Sequence, residues 1–136
     1  MKNPFITALF LLPLMIHASH GVAQIEENNR QICQQTTEED GYQGFLACTV
    51  RTSEESEKKL QSRLAILRKD LDGLSLKAYR ANFEQDQRAW EVYKKRHCAY
   101  LSTGMENQAR EVQATLCNVM ENDKRLETLK DEPAFP

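Results

Sequence analysis

The side chains able to do covalent or metal chemistry are few: Cys33, Cys48, Cys98 and Cys117, with His17, His20 and His97. His97 adjoins Cys98, so a Cys–His nucleophilic pair is the first chemistry to weigh. Neighbouring residues on a helix point about 100° apart and do not face each other. An even number of cysteines in an exported chain favours disulfides over thiolate or zinc chemistry. Arg88, Arg96 and Arg125 could grip a carboxylate. The alternative is an ion pair with a helix-borne acid, with Gln87 in the same polar network. The acidic groups Glu38-Glu39-Asp40 and Glu54-Glu55, with Glu57, suit a basic partner, or else form a solvated face with favourable charge near helix starts. No glycine-rich phosphate loop, Ser–His–Asp arrangement or positioned carboxylate pair stands out. The chain is therefore read as a non-enzyme that needs no cofactor or metal.

The N-terminus sets the compartment. Lys2, the apolar run Phe5–Ile16 and the small residues Gly21-Val22-Ala23 make residues 1–23 a secretory signal, with cleavage near Ala23. The run is too short to span a membrane, and no later segment is long enough. No cysteine lies near the cut to carry a lipoprotein anchor. Of 136 residues, 113 remain, with 17 Lys+Arg against 20 Asp+Glu, a net charge of −3. Nucleic acid is an unsuitable partner for such a balance. His17 and His20 leave with the signal, which rules out a His-rich metal site.

The elements that must position the remaining groups are helices. No proline stands between residues 14 and 132, and the mature chain has only Gly41, Gly44, Gly73 and Gly104, too few turn formers for a small β-sandwich. Leu46, Val50, Leu60, Leu64, Leu67 and Leu71 fall on one helical stripe. Leu76, Phe83, Trp90 and His97 are seven apart, and Tyr79, Tyr93 and Tyr100 lie three residues after members of that series. The aromatics are read as the core stripe rather than as an aromatic binding surface, with Tyr100 the tyrosine expected to be exposed at the rim. Met105, Val112, Val119 and Leu126 repeat the pattern, with Ala109 and Leu116 beside them. The spacing predicts helices over about 45–72, 75–101 and 105–129. Asp72-Gly73 ends the first, Ser75 caps the second, and Thr103 to Glu106 has capping-box spacing before the third. Thr37 to Asp40 is a further cap candidate. The fold class is all-α: an up-down-up three-helix bundle with a short N-terminal extension and two disulfides, one domain over 24–130, and a flexible tail at 131–136. Ser53 and Glu57 interrupt the first apolar stripe, which marks either a local polar network or an exposed groove.

The cysteines allow three connectivities. Residues equidistant from a helical turn meet across it, and this places all four sulfurs at the end away from Gly73. A local scheme, Cys33–Cys48 with Cys98–Cys117, and a crossed scheme, Cys48–Cys98 with Cys33–Cys117, both satisfy that geometry. The local scheme closes shorter loops and is preferred. Its second bridge requires the loop after residue 101 to extend beyond Gly104, because a disulfide tolerates only about 4.4–6.8 Å between Cα atoms.

One run is more specific than periodicity. Gln87-Arg88-Ala89-Trp90, then Tyr93 and Cys98, reads Q-R-A-W-x-x-Y-x-x-x-x-C; Arg125 and Leu129 follow Cys117, while Cys33, Thr36-Thr37 and Cys48 precede a leucine-rich helix. This resembles the family of lysozyme-inhibitor LprI N-terminal-like domains, small exported bacterial helical proteins with four cysteines, over about 33–129. The family's Leu-Asn pair appears here as Leu60-Gln61, and the tyrosine a turn later is missing. The acidic residue before that pair corresponds to Glu57, and an Arg-Asp after the tyrosine appears as Lys94-Lys95.

The resemblance implies a periplasmic or secreted protein-binding module that inhibits a lysozyme-type muramidase or another cell-wall hydrolase by steric occlusion. The loops 34–44 and 102–108 are the candidate contact regions, with Glu38, Glu39, Asp40 and Tyr100 the candidate contact residues. A periplasmic immunity protein against a cell-wall toxin, or an envelope factor with no enzyme target, are the alternatives.

Overall fold

A computed structural model of the chain describes residues 33–34 and 40–133. The expected signal peptide, Thr36, Thr37, Glu38, Glu39 and residues 134–136 lie outside them. The described residues form three helices: α1 (Gly41–Gly73), α2 (Lys77–Leu101) and α3 (Asn107–Thr128).

The boundaries differ from the sequence reading at the caps. α1 starts four residues earlier than expected, immediately after Asp40, because Gly41 itself turns the chain at φ 59°. Ser75 does not cap α2. It takes the left-handed position of the turn, at φ 57°, and Leu76 becomes the capping residue without a side-chain bond. Thr103 does not form a capping box either: its hydroxyl turns back and donates to the Ala99 carbonyl at 3.1 Å. Gly104, at φ 83°, supplies the reversal before α3, a conformation that glycine reaches without a Cβ clash.

Side-chain pairs give the helix directions. Between α1 and α3, Thr49 meets Thr115, Ser56 meets Asn122 and Arg63 meets the Leu129 carbonyl, each 66 residues apart and each one heptad after the last. A constant offset is what parallel neighbours give. Between α1 and α2 the order reverses: Arg68 pairs with Glu84, and further back along α1 Glu57 pairs with the later Lys94. α2 and α3 are also antiparallel, with Asp86 and Gln87 on Arg125 and Cys98 on Cys117. These are the pairings of an up-down-up course.

The core follows the leucine stripe of α1. Leu60, Leu64, Leu67 and Leu71 are fully buried and pack with Phe83 and Leu129, flanked by Trp90 and Leu126. Burying each leucine contributes roughly 1.5–3 kcal/mol. Val112, Leu116 and Val119 continue the buried side on α3, while Ala109 and Leu76, expected on the stripes, are exposed.

Tyr79 and Tyr93 are a larger correction, whereas Tyr100 is exposed as expected. Tyr79, Tyr93 and Tyr100 are all exposed, Tyr100 at 71 %. Each +3 step turns about 60° to one side of the Phe83–Trp90–His97 series, and a straight helix drifts a further ~20° per heptad in the same sense. The offset therefore carries Tyr93 and Tyr100 out of the core.

Both ends of the bundle are tied. Cys33 is bonded to Cys48 and Cys98 to Cys117, with Cα atoms 5.9 and 5.5 Å apart. At the other end Arg63 donates to the carbonyls of Leu129, Lys130 and Glu132 at 2.6–3.2 Å. Leu129 is the C-capping residue of α3, and the other two carbonyls belong to the segment that follows it. The Tyr79 hydroxyl adds a bond of 2.9 Å to the Glu132 carboxylate. The start of the segment read as a fraying tail is thus held to α1 and α2.

Candidate functional site

The motif residues converge on the α2–α3 seam. Gln87, Trp90 and Lys94 lie at i, i+3 and i+7 on the inward face of α2. Across from them stand Asn122 and Arg125 of α3, and Ser56 and Glu57 of α1. Trp90 sits between two cations, with Lys94 Nζ 4.9 Å and Arg125 Cζ 5.6 Å from a ring centre, where the electron-rich face of the indole attracts positive charge. Arg125 donates to Asp86 Oδ2 at 2.6 Å and to the buried Gln87 Oε1 at 3.1 Å. Gln87 passes its amide on to Glu91 at 3.1 Å.

A second polar group adjoins the first through Lys94. Its ammonium donates to Asn122 Oδ1 at 2.9 Å and Glu57 Oε2 at 3.2 Å. The fully buried Asn122 donates to Ser56 Oγ at 3.0 Å and to Glu57 Oε2 at 3.1 Å. Gln61 donates to the other oxygen of Glu57 at 2.8 Å. The interruption of the α1 stripe at Ser53 and Glu57 is therefore a polar network. It also joins two departures from the family pattern, Gln61 and Lys94, through Glu57, the counterpart of the family's acidic residue. Asn122 is at its centre and carried no signal of its own in the sequence; only the broken stripe opposite it pointed there.

Burial by itself pushes the Glu57 carboxyl up, but the bonds from Gln61, Lys94 and Asn122 and the Lys94 charge outweigh it and hold the pKa below its ordinary 4.5. Glu84, bonded by Arg68 and paired with Arg80, is also lowered from 4.5. Both values are lower folded than unfolded, so the stabilisation is complete above the unfolded value and is lost as pH falls through the folded ones. The melting temperature is expected to be level above about pH 5.5 and to fall below about pH 4.5. Glu57→Gln combined with Glu84→Gln should flatten that acid limb; an unchanged limb would refute the assignment.

The other predicted residues are scattered. Arg88 does not form the expected buried or rim ion pair: it is exposed and makes no hydrogen bond or ion pair among the described residues. Tyr93 stacks on His97, with ring centroids 5.3 Å apart and planes 10° from parallel. His97 Nε2 lies 4.0 Å from Glu121, and Cys98 is bonded to Cys117, so the two do not form a nucleophilic pair. Asp40 is exposed at the start of α1, and Glu38 and Glu39 lie outside the described residues. Among the described residues there is no cluster of three or more metal-ligating side chains and no helix long and apolar enough to cross a membrane.

The network is a structural clasp, and what it clasps is decided by comparison with known families. A family model described as Lysozyme inhibitor LprI matches residues 33–129. The chain belongs to the LprI family. The match begins at the first cysteine and ends at Leu129, whose carbonyl Arg63 holds, so the LprI region coincides with the disulfide-tied bundle. No curated protein and no solved structure matched the chain. In this LprI chain Gln87, Trp90 and Arg125 serve the α2–α3 seam, whereas Arg88 and Tyr93 of the same motif face solvent. Disulfides and LprI membership together fit an extracellular or periplasmic protein.

Proposed function

We propose that the protein is an exported inhibitor of a lysozyme-type muramidase, cut from its signal near Ala23, with residues 24–130 acting as one binding domain. The observation that carries this reading is the LprI match over residues 33–129. The mechanism is occlusion: a rigid surface covers the substrate cleft and this chain does no chemistry. Rigidity supports it, because two disulfides and a hydrogen-bonded clasp reduce the ordering cost that binding would otherwise incur. Tyr100 and the turn 102–106, at the disulfide-tied end, are candidate contacts.

Purified, oxidised protein is expected to slow bacterial lysis by at least one of a panel of lysozymes at molar ratios near one. No slowing of any of them at a large molar excess sinks the proposal.

A further inference from the structure

The outward face of α2 carries an unused set of groups. Arg88, Val92 and Arg96 follow one another at i, i+4 and i+8. Tyr93 and Tyr100 run beside them, and all five are exposed. Other arginines serve the fold: Arg63 holds carbonyls, Arg68 and Arg80 grip Glu84, Arg110 takes a carbonyl and Arg125 pairs with Asp86. Arg88 and Arg96, like the exposed Arg51 of α1, have no hydrogen bond or ion pair among the described residues. Glu91 is the sole carboxylate between residues 88 and 103, and it is turned to the Gln87 amide. The face is thus locally cationic and aromatic on a chain that is acidic overall.

Arginine and tyrosine are the side chains that concentrate binding energy at interfaces. Both offer large, stiff contact area, and arginine adds a planar fork for carboxylates. A glycoside-hydrolase cleft holds the matching chemistry, a pair of carboxylates flanking the scissile bond between walls that bind sugar rings. Resting on the reading of the protein as a lysozyme inhibitor, we infer that the α2 face is what enters the muramidase cleft. Arg88 and Arg96 address the cleft carboxylates, and Tyr93 and Tyr100 lie against the sugar-binding walls. The two scales of charge act together. The net negative chain draws in a basic enzyme at long range, and the local cations fit the acidic cleft on docking. The contact then lies along α2 rather than on Glu38, Glu39 and Asp40.

The test compares the unaltered oxidised mature protein with Arg88→Glu/Arg96→Glu, Arg88→Ala/Arg96→Ala and Tyr93→Ala/Tyr100→Ala. Lys69→Gln/Asp70→Asn on the exposed side of α1, which leaves the net charge unchanged, is the control. Each is titrated against a lysozyme that the unaltered protein inhibits, with melting temperature as the check on folding. Charge reversal is expected to raise the inhibition constant about 100-fold or more, and the alanine pairs about 10-fold or more. The control should stay within a few-fold of the unaltered protein. An N-acetylglucosamine oligosaccharide that fills the cleft should compete with the inhibitor. If the unaltered protein inhibits and the folded Arg88/Arg96 variants inhibit equally well, the α2 surface is overturned and the inhibitor reading stands. If the unaltered protein inhibits no lysozyme, both fall. If the variants keep inhibition but lose binding to phosphatidylglycerol vesicles, the face belongs to an anionic lipid surface and the inference is overturned.

Discussion

Replacing Cys98 and Cys117 together by serine is expected to lower the unfolding free energy by about 3 kcal/mol. The bridge closes a segment of sequence separation 19, and loop-closure entropy for that length gives about this value. Both cysteines are buried, Cys117 at 2 % exposure, so two hydroxyls would also enter an apolar site. The consequence should fall unevenly on the bundle. α2 buries only Phe83, Gln87 and Cys98, whereas α1 buries six residues. Without the bridge, α2 amides near residue 98 should exchange with solvent faster, while those around Leu64 and Leu67 stay protected. Urea unfolding gives the first quantity and hydrogen exchange the second. A midpoint unchanged by the double substitution would mean that helix packing alone holds the tied end.

The second large effect belongs to the leucine stripe. Leu64→Ala is expected to cost about 3–4 kcal/mol, because Leu64 is fully buried in the cluster around Phe83 and Leu129 and its loss leaves a cavity that neighbours fill only partly. Ile66 is the internal comparison. It stands two residues away on the same helix but is 52 % exposed, so Ile66→Ala should change stability by no more than about 0.5 kcal/mol. Equal effects at the two positions would show that α1 does not present the face described. A loss of this size would take a large share of the ~5–15 kcal/mol that holds a domain folded.

Much of the fold was legible because periodicity is a local signal. The absence of proline, the scarcity of glycine and the apolar stripes point to three helices separated near Gly73 and Gly104, and the structure has them there. Cap chemistry was less legible. Ser75 and Thr103 have the side chains of capping residues, but Ser75 takes the left-handed position of its turn, and the Thr103 hydroxyl bonds back to the Ala99 carbonyl, since a short polar side chain can bond a nearby backbone group instead of capping. Tyr79 and Tyr93 failed for a geometric reason. A seven-residue spacing identifies a stripe but not its angular width, and both fall just outside it.

The site divided along the same line. Gln87, Trp90 and Arg125 were singled out by a motif, and the fold brings them together. Lys94 and Asn122 were not, because a buried polar network is defined by the partners that helix packing brings together, and Asn122 has its partners on two other helices. The sequence by itself determined the helical class and the stripes that drive the helices together. Only the tertiary structure decided the 66-residue offset between the parallel α1 and α3, that Glu57 and Lys94 neutralise each other beside Trp90, and that Arg88, Arg96 and Tyr93 are left to solvent. The reason is physical. Helix formation depends on neighbours a few residues away, whereas the pairing of charges and the exposure of a face depend on which helix packs against which.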